Sequence, residues 1–425
     1  MKGDDHNDLK QISREELIST LEKCHDTVWQ GGKLAPTTAF DEVSKLLFCK
    51  LKDEKDIVKD GEIYKFQIGT HESADDVFNR INAIYEVAKK QDAEVFKGNI
   101  NLDPKIVYQV VEHIQGINFV DTDLDTKGVA FERFMQDFFK GKMGQFFTPH
   151  NIIDFAVQLM DVKNSDFVLD PASGSGGFLL NTLDTIRKYA DSHISNPGRA
   201  YSYWHDFAKD NLFGIEINDQ IARVCKMNMI IHDDGHTNVI STSALERFED
   251  IEKIHRGFKK DHFDIILTNP PFGATIKSSE TDILGSYELG KTKKNQKTEI
   301  LFIERCIDFV KPGLGKIAMV LPDGILTNSS LQYVRDFIME RCQILAVVSL
   351  PQFAFAHYGA GVKSSLMFLR RKGNNETLAD YPIFMAIADR IGYDATGRED
   401  SHNDFKIILE EYRKFQAKPH GYEGC

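Results

Sequence analysis

The sequence predicts an α-helical N-terminal domain up to about residue 140, followed by an α/β fold with a doubly wound, mostly parallel, Rossmann-like sheet. Three observations predict it. Apolar residues recur at helical spacing in the first third of the chain. From about residue 160 short strand-like runs alternate with helical stretches. Each run then closes on Gly, Pro, Asn or an acidic residue, where a parallel strand hands over to a loop.

In the helical region Ser13 and Glu16 have capping-box spacing ahead of Leu17, Ile18 and Leu21. Ser73 opens a second helix that carries Val77, Ile81, Ile84 and Ala88 on one face. Pro104 and Gly116 bracket Val107, Val110, Val111 and Ile114. Packing explains these stripes, so they are read as core rather than as a cofactor site. The expected strands of the second region are Phe167–Asp170, Leu212–Glu216, Phe263–Thr268, Lys316–Leu321 and Ile344–Leu350, with helix patterns such as Phe178–Tyr189 and Asp219–Ile231 between them. In such sheets ligands bind beyond the carboxyl ends of the strands, which is where chemistry is to be sought.

A chain of 425 residues suggests two or three domains, drawn here as 1–140, 141–375 and a C-terminal extension, 376–425. Hydrophobic residues at 42% and charged residues at 27% exclude a disordered or fibrous chain. The six cysteines (Cys24, Cys49, Cys225, Cys306, Cys342 and Cys425) form no CxxC pair, which sets aside zinc knuckles and disulfide frameworks. No secretory pattern opens the chain and no apolar run nears the roughly 20 residues of a bilayer span, so a reducing cytoplasm is expected. The net charge of -12 counts against a self-sufficient nucleic-acid binder.

Four elements carry chemistry. Asp170-Pro-Ala-Ser-Gly-Ser-Gly-Gly177 turns from a strand into a helix, where glycines let a ligand approach the backbone and free N–H groups await it. Leu179 stands where a dinucleotide fingerprint needs glycine, and no Walker A loop is present. A tight structural turn would read the same way. Glu216 ends the next strand and could accept from both ribose hydroxyls of a nucleoside cofactor, or be a solvated strand-end carboxylate. Its distance from Asp170 exceeds the roughly 20 residues of a compact unit, which a surface insertion at Asp191–Asp210 explains. The aromatics of that stretch, Tyr201, Tyr203 and Trp204 with His205, either line an entrance or pack on their own domain.

Asn269-Pro270-Pro271-Phe272 sets a carboxamide, a backbone carbonyl and an aromatic ring at a rigid strand end. Two acceptors side by side suit an NH₂ group. Adenine's exocyclic amine is a poor nucleophile because its lone pair is delocalised. Hydrogen bonds to the Asn269 amide oxygen and Pro270 carbonyl would favour a pyramidal nitrogen, with Phe272 stacked on the extruded base. Alternatively the segment is a plain Pro-Pro turn. The last element, Gly144-Gln-Phe-Phe-Thr-Pro149, offers Thr148 as an N-cap and Pro149 as the first helical residue, with Ile152, Phe155, Ala156 and Leu159 buried behind them.

In this order, the four elements resemble the gamma-order amino-group DNA methyltransferases, and within them the modification (M) subunits of type I restriction-modification systems, the N-6 adenine DNA methylase family. The resemblance covers roughly residues 120–375. It implies a methyltransferase sheet and an S-adenosylmethionine site. Gln145, Phe146, Phe147, Thr148, Pro149 and His150, with Ser173, Gly174, Ser175 and Gly176, would hold the methionine end; Asp170 would lie near the ammonium and Glu216 would take the ribose hydroxyls. Asn269, Pro270, Pro271 and Phe272 would form the catalytic loop, and Phe355, in the stretch Phe353–Phe368, a second aromatic wall. Relatives often have Gly-Asp-Ser/Thr-Leu where this chain has Thr242-Ser243-Ala244-Leu245, so Ser243 stands in for a missing carboxylate near the cofactor adenine.

The implied reaction is direct, in-line transfer of methyl to N6 of a flipped adenine. A cytosine-C5 enzyme would need Pro-Cys, and no cysteine here follows proline. The implied partners are double-stranded DNA, the DNA specificity (S) and restriction (R) subunits and a second copy of the chain, with no membrane. Four lysines among Lys291–Lys297 suggest a mobile segment that contacts phosphates, or a solvated loop. The alternatives are a fused restriction-methylation enzyme, a protein glutamine-N5 methyltransferase and a cofactor-binding scaffold. Gln145–Pro149 and the helical N-terminal region favour DNA, and the intact Asn269–Phe272 speaks against a scaffold.

Overall fold

The computed structural model describes residues 2, 8–32, 34, 36–56, 59, 61–91, 98–122, 126–127, 130–131, 134–135, 147–232, 238–279, 282–356 and 361–421. Gly144, Gln145 and Phe146 lie outside the described residues. The chain divides into two compact units, Met1–Met143 with Lys226–Asp233, and Gly144–Cys225 with Asp234–Cys425.

In the first unit the described helices are Arg14–Gly32, Pro36–Asp56, Ala74–Gln91 and Pro104–Ile114. The expected caps form. The Ser13 amide donates to Glu16 Oε2 at 3.0 Å and the Glu16 amide to Ser13 Oγ at 3.3 Å, while Asp103 caps the helix that Pro104 begins. Leu17, Leu21, Val77, Ile81, Val107, Val110, Val111 and Ile114 are buried, as helical spacing requires. Two buried carboxylates on the second helix pin neighbouring loops by accepting backbone hydrogens, Asp53 from Phe66 and Glu54 from Val120, both at 2.8 Å.

The second unit is built on an eight-stranded sheet in the order β10-β8-β9-β7-β4-β1-β2-β3. Its strands are β1 (Val168–Asp170), β2 (Leu212–Glu216), β3 (Val239–Ser241), β4 (Ile265–Thr268), β7 (Lys316–Pro322), β8 (Cys342–Ser349), β9 (Ser364–Arg371) and β10 (Phe384–Ile387). All neighbours pair in parallel except β9, which runs antiparallel to β7 and β8. Strands β1, β2 and β4 are buried along their whole length, consistent with near-continuous apolar runs covered on both faces. The chain runs outward from β1 through β2 to β3, then crosses to β4 on the other side of β1. The carboxyl ends of β1 and β4 therefore flank a topological switch point. Among the described residues no helix is long and apolar enough to cross a membrane.

Three expectations change. The stretch read as a surface insertion contains a helix, Pro197–Asn211, capped by Asn196 and burying Ala200, Trp204, Phe207 and Ala208. Packing thus accounts for Trp204, while Tyr201 stays exposed. The stretch set apart as a C-terminal extension supplies edge strand β10 and a helix, Phe405–Ala417, whose Phe405 ring stacks on Phe155 at 4.5 Å. Finally, the lysine-rich segment is anchored. Its end forms β6 (Asn295–Lys297), antiparallel to β5 (Thr275–Lys277). Glu304 accepts from the Glu288 and Leu289 amides, and the Gln296 side chain donates to the Leu289 carbonyl at 2.6 Å.

Gly214 in β2 lies under the Asp170–Gly177 turn. A Cβ there would sit 2.9 Å from Leu179 Cδ1 and 3.2 Å from Ser173 Cβ. Gly214→Ala should therefore destabilise the protein by roughly 1–3 kcal/mol, read as a lower urea midpoint with an unchanged m-value.

Candidate active site

The turn after β1 is shaped by two glycines. Gly174 (φ 52°) and Gly176 (φ 92°) adopt left-handed conformations that L side chains rarely tolerate, and the helix Gly177–His193 starts directly after them. The Ser173 amide donates to the Ile215 carbonyl at 2.9 Å, tying the turn to β2. Ser173 Oγ is buried and has no hydrogen-bond partner.

Glu216 is buried rather than solvated. One carboxylate oxygen accepts from the Gly174 amide at 3.1 Å and the other from the Asn218 amide at 2.8 Å. Asp170 is also buried; its Oδ1 accepts from Thr268 Oγ1 at 2.8 Å and from the Ala172 amide at 3.0 Å. Desolvation pushes the Asp170 carboxyl up to about 7, opposed by the Thr268 and Ala172 hydrogen bonds and reinforced by the nearby Glu216 charge.

Asn269 follows the end of β4. Its Nδ2 donates to Thr148 Oγ1 at 2.9 Å, and its Oδ1 is buried with no partner among the described residues. Thr148 thus acts on Asn269 instead of capping the helix. The helix begins at His150, with Pro149 in the N-cap position and no side-chain cap, one residue later than the sequence suggests. Pro270 is buried, Pro271 exposed and Phe272 half-buried; among the described residues no donor reaches the Pro270 carbonyl. Two acceptors without donors therefore share one strand end, an unfavourable arrangement unless a ligand supplies hydrogens.

Phe147 is half-buried, His150 is exposed, and Ser175 lies half-buried in the turn beyond β1. Ser243 is half-buried beyond β3, its hydroxyl accepting from the Leu245 amide at 3.2 Å. Phe355 is fully buried in the core, whereas Phe353, two residues earlier, keeps a partly exposed ring against Tyr393. Sequence reasoning missed Thr268, whose hydroxyl holds Asp170; the only signal was its place between a strand and the Asn269 motif. Cys306 and Cys342 are buried, and burial pushes the Cys306 thiol far up and that of Cys342 up to about 12, so neither is a ready nucleophile.

The profile of the N-6 DNA Methylase family matches residues 122–422. The type I restriction enzyme EcoKI methylase subunit of Escherichia coli (strain K12) is 25% identical over 382 residues, which cover 85% of this chain and 68% of that subunit. The EcoEI methylase subunit of Escherichia coli is 26% identical over 269 residues, 63% of this chain. The match spans about half of that relative's length, 51%. Among solved structures, the type I restriction-modification system methyltransferase subunit of Streptococcus thermophilus superposes with a TM-score of 0.65 at 17% identity, covering 95% of this chain and 94% of its own. A Listeria monocytogenes protein described as a class I S-adenosylmethionine-dependent methyltransferase does so with a TM-score of 0.64 at 13% identity, covering 95% and 98%. These superpositions establish the fold as that of class I methyltransferases. Since the family profile extends over more than two thirds of the sequence and takes in every strand of the sheet, the chain belongs to the N-6 DNA Methylase family.

Proposed function

We propose that this chain is a site-specific adenine-N6 DNA methyltransferase, using S-adenosylmethionine and working as the modification subunit of a type I restriction-modification complex. The observation that carries the reading is the buried, unpaired Oδ1 of Asn269, fixed by Thr148 at the carboxyl end of β4. The partners proposed are double-stranded DNA, a specificity subunit, a restriction subunit and a second copy of the chain.

The residues present fit the cofactor. Among the described residues Ser173 Oγ is a buried hydroxyl with no partner, the glycine turn sets no side chains at Gly174 and Gly176, and the Glu216 carboxylate lies beside that turn, where it would take the ribose hydroxyls. Asp170 would meet the ammonium, with Gln145–His150 and Ser173–Gly176 around the methionine end and Ser243 near the adenine. When bound, S-adenosylmethionine supplies an electrophilic methyl group on its sulfonium.

The chain's part is to hold the acceptor nitrogen. Asn269 Oδ1 and the Pro270 carbonyl would accept the two N6 hydrogens of an extruded adenine, localising the lone pair on nitrogen, while Phe272 stacks on the ring. Phe353 replaces Phe355 as the candidate second aromatic. Neither an amide nor a carbonyl is a base at neutral pH, so the site orients the proton and releases it to solvent after transfer. Lys291 and Lys294, exposed and with no carboxylate partner among the described residues, would meet DNA phosphates; Lys293 instead lies 4.3 Å from the centre of the Tyr333 ring.

Asn269→Ala should lower kcat for labelled methyl transfer to genomic DNA, assayed with the specificity subunit, by about 10²-fold or more, with cofactor affinity within about twofold by calorimetry. Full activity in that variant, or label on protein instead of DNA, would refute the site. Cofactor affinity should rise with pH, because the ammonium needs an ionised Asp170 and its carboxyl is half-protonated near about 7. For one such proton the constant should be roughly eightfold tighter at about pH 7.5 than at about pH 6, a dependence that Asp170→Asn abolishes. Changing Lys291 and Lys294 to Gln should reduce the slope of log K against log salt by roughly 0.9 per lost phosphate contact; an unchanged slope would rule the contacts out.

A further inference from the structure

Resting on that reading of the Asn269 loop, we propose that Thr298 and Glu299, together with Lys297, are positioning residues that hold the loop in its reactive shape from outside the known motifs. Beyond Pro271 the loop leaves the sheet, so its backbone groups need partners other than a strand. One tripeptide supplies them. Thr298 Oγ1 donates to the Pro271 carbonyl at 3.0 Å, and Lys297 Nζ donates to the Gly273 carbonyl at 2.9 Å. Glu299 Oε2 accepts from the Gly273 amide at 3.2 Å, and the Thr298 amide donates to the Ala274 carbonyl at 3.1 Å.

These contacts have a direction. Glu299 stands in the first turn of the helix Thr298–Phe309, where an acidic residue ordinarily serves its own helix. Here there is no side-chain cap, and the buried carboxylate reaches across to the loop instead. The other end of the loop is fixed by Thr268, bonded to buried Asp170. Between Thr268 and the anchored Pro271 carbonyl lie only Asn269 and Pro270, and the two prolines restrict backbone rotation. The position of the Asn269 amide is therefore set from both ends. Lys297 also pairs with Thr275 in the hairpin that carries Lys291 and Lys294, so one scaffold bears the basic surface and the clamp.

The test uses the full chain with its specificity subunit. Glu299→Ala and Thr298→Val should each lower kcat tenfold or more, with cofactor affinity and the thermal midpoint little changed, whereas Glu299→Gln and Thr298→Ser, which keep an acceptor and a donor, should recover most of the rate. Hydrogen–deuterium exchange of residues 269–274 should rise in the Ala and Val variants and return in the conservative ones, whatever the substrate. Unchanged kcat and unchanged exchange, or a rate loss that only follows lost cofactor binding, would overturn the clamp. A wild-type protein that transfers no methyl to DNA, yet shows the exchange pattern, would leave the clamp standing and overturn the functional reading.

Discussion

The hydrogen bond from Thr268 to Asp170 joins the carboxyl ends of β4 and β1 at the point where strand order reverses. It is buried, and that desolvation raises the carboxylate's proton affinity even though the Thr268 and Ala172 donors oppose the rise. The turn that Asp170 begins runs into Glu216 on one side, and the strand that Thr268 closes runs into Asn269 on the other. The turn beyond β1 and the Asn269 strand end are thus tied through one pair of neighbouring side chains. Removing Thr268 would deprive the buried Asp170 carboxylate of one of its two hydrogen-bond donors.

Much of this was legible in the sequence. The five expected strands all form, and the motif residues Asp170, Glu216 and Asn269 sit at the strand ends where the parallel-sheet rule puts them. What sequence reasoning missed depends on contacts distant along the chain. Thr148 looks like a cap because local chemistry favours it, yet its partner lies 121 residues away. Phe355 and Phe353 have the same side chain, and only packing decides which is buried. The run of lysines has the composition of a loose loop, but Glu304 holds the residues just before it and Gln296, within it, ties back to Leu289, contacts that composition does not reveal. Strand β10 was missed because four residues beside an edge carry little periodic signal.

The acidic balance of the chain also acquires a local meaning. Many basic residues are already committed to nearby carboxylates, as Lys45 is to Glu42, Lys50 to Glu54 and Arg370 to Glu376. Such pairs add little to the positive field felt at a distance. Lys291 and Lys294 differ in having no carboxylate partner among the described residues, and they share a hairpin with Lys297, which bonds the Gly273 carbonyl. A protein of net charge -12 can therefore present a small positive surface where it matters. Most of its hold on a polyanion would then come from partner subunits.

The strand order bears on how the protein is born. Asp170 and Thr268 are 98 residues apart, and the intervening chain forms β2 and β3 on the far side of β1 before β4 can dock. At ribosomal rates of about 5–20 residues per second, the glycine turn waits several seconds for the strand that completes it. Until then Asp170 remains in water as an ordinary carboxylate, and Glu216 can meet the turn without any acceptor pair alongside. The nascent chain can thus close the glycine turn on Glu216 early, but the strand end that carries Asn269 joins it only when β4 docks beside β1, and β7 follows still later, among the non-local pairings that set the pace of such folds.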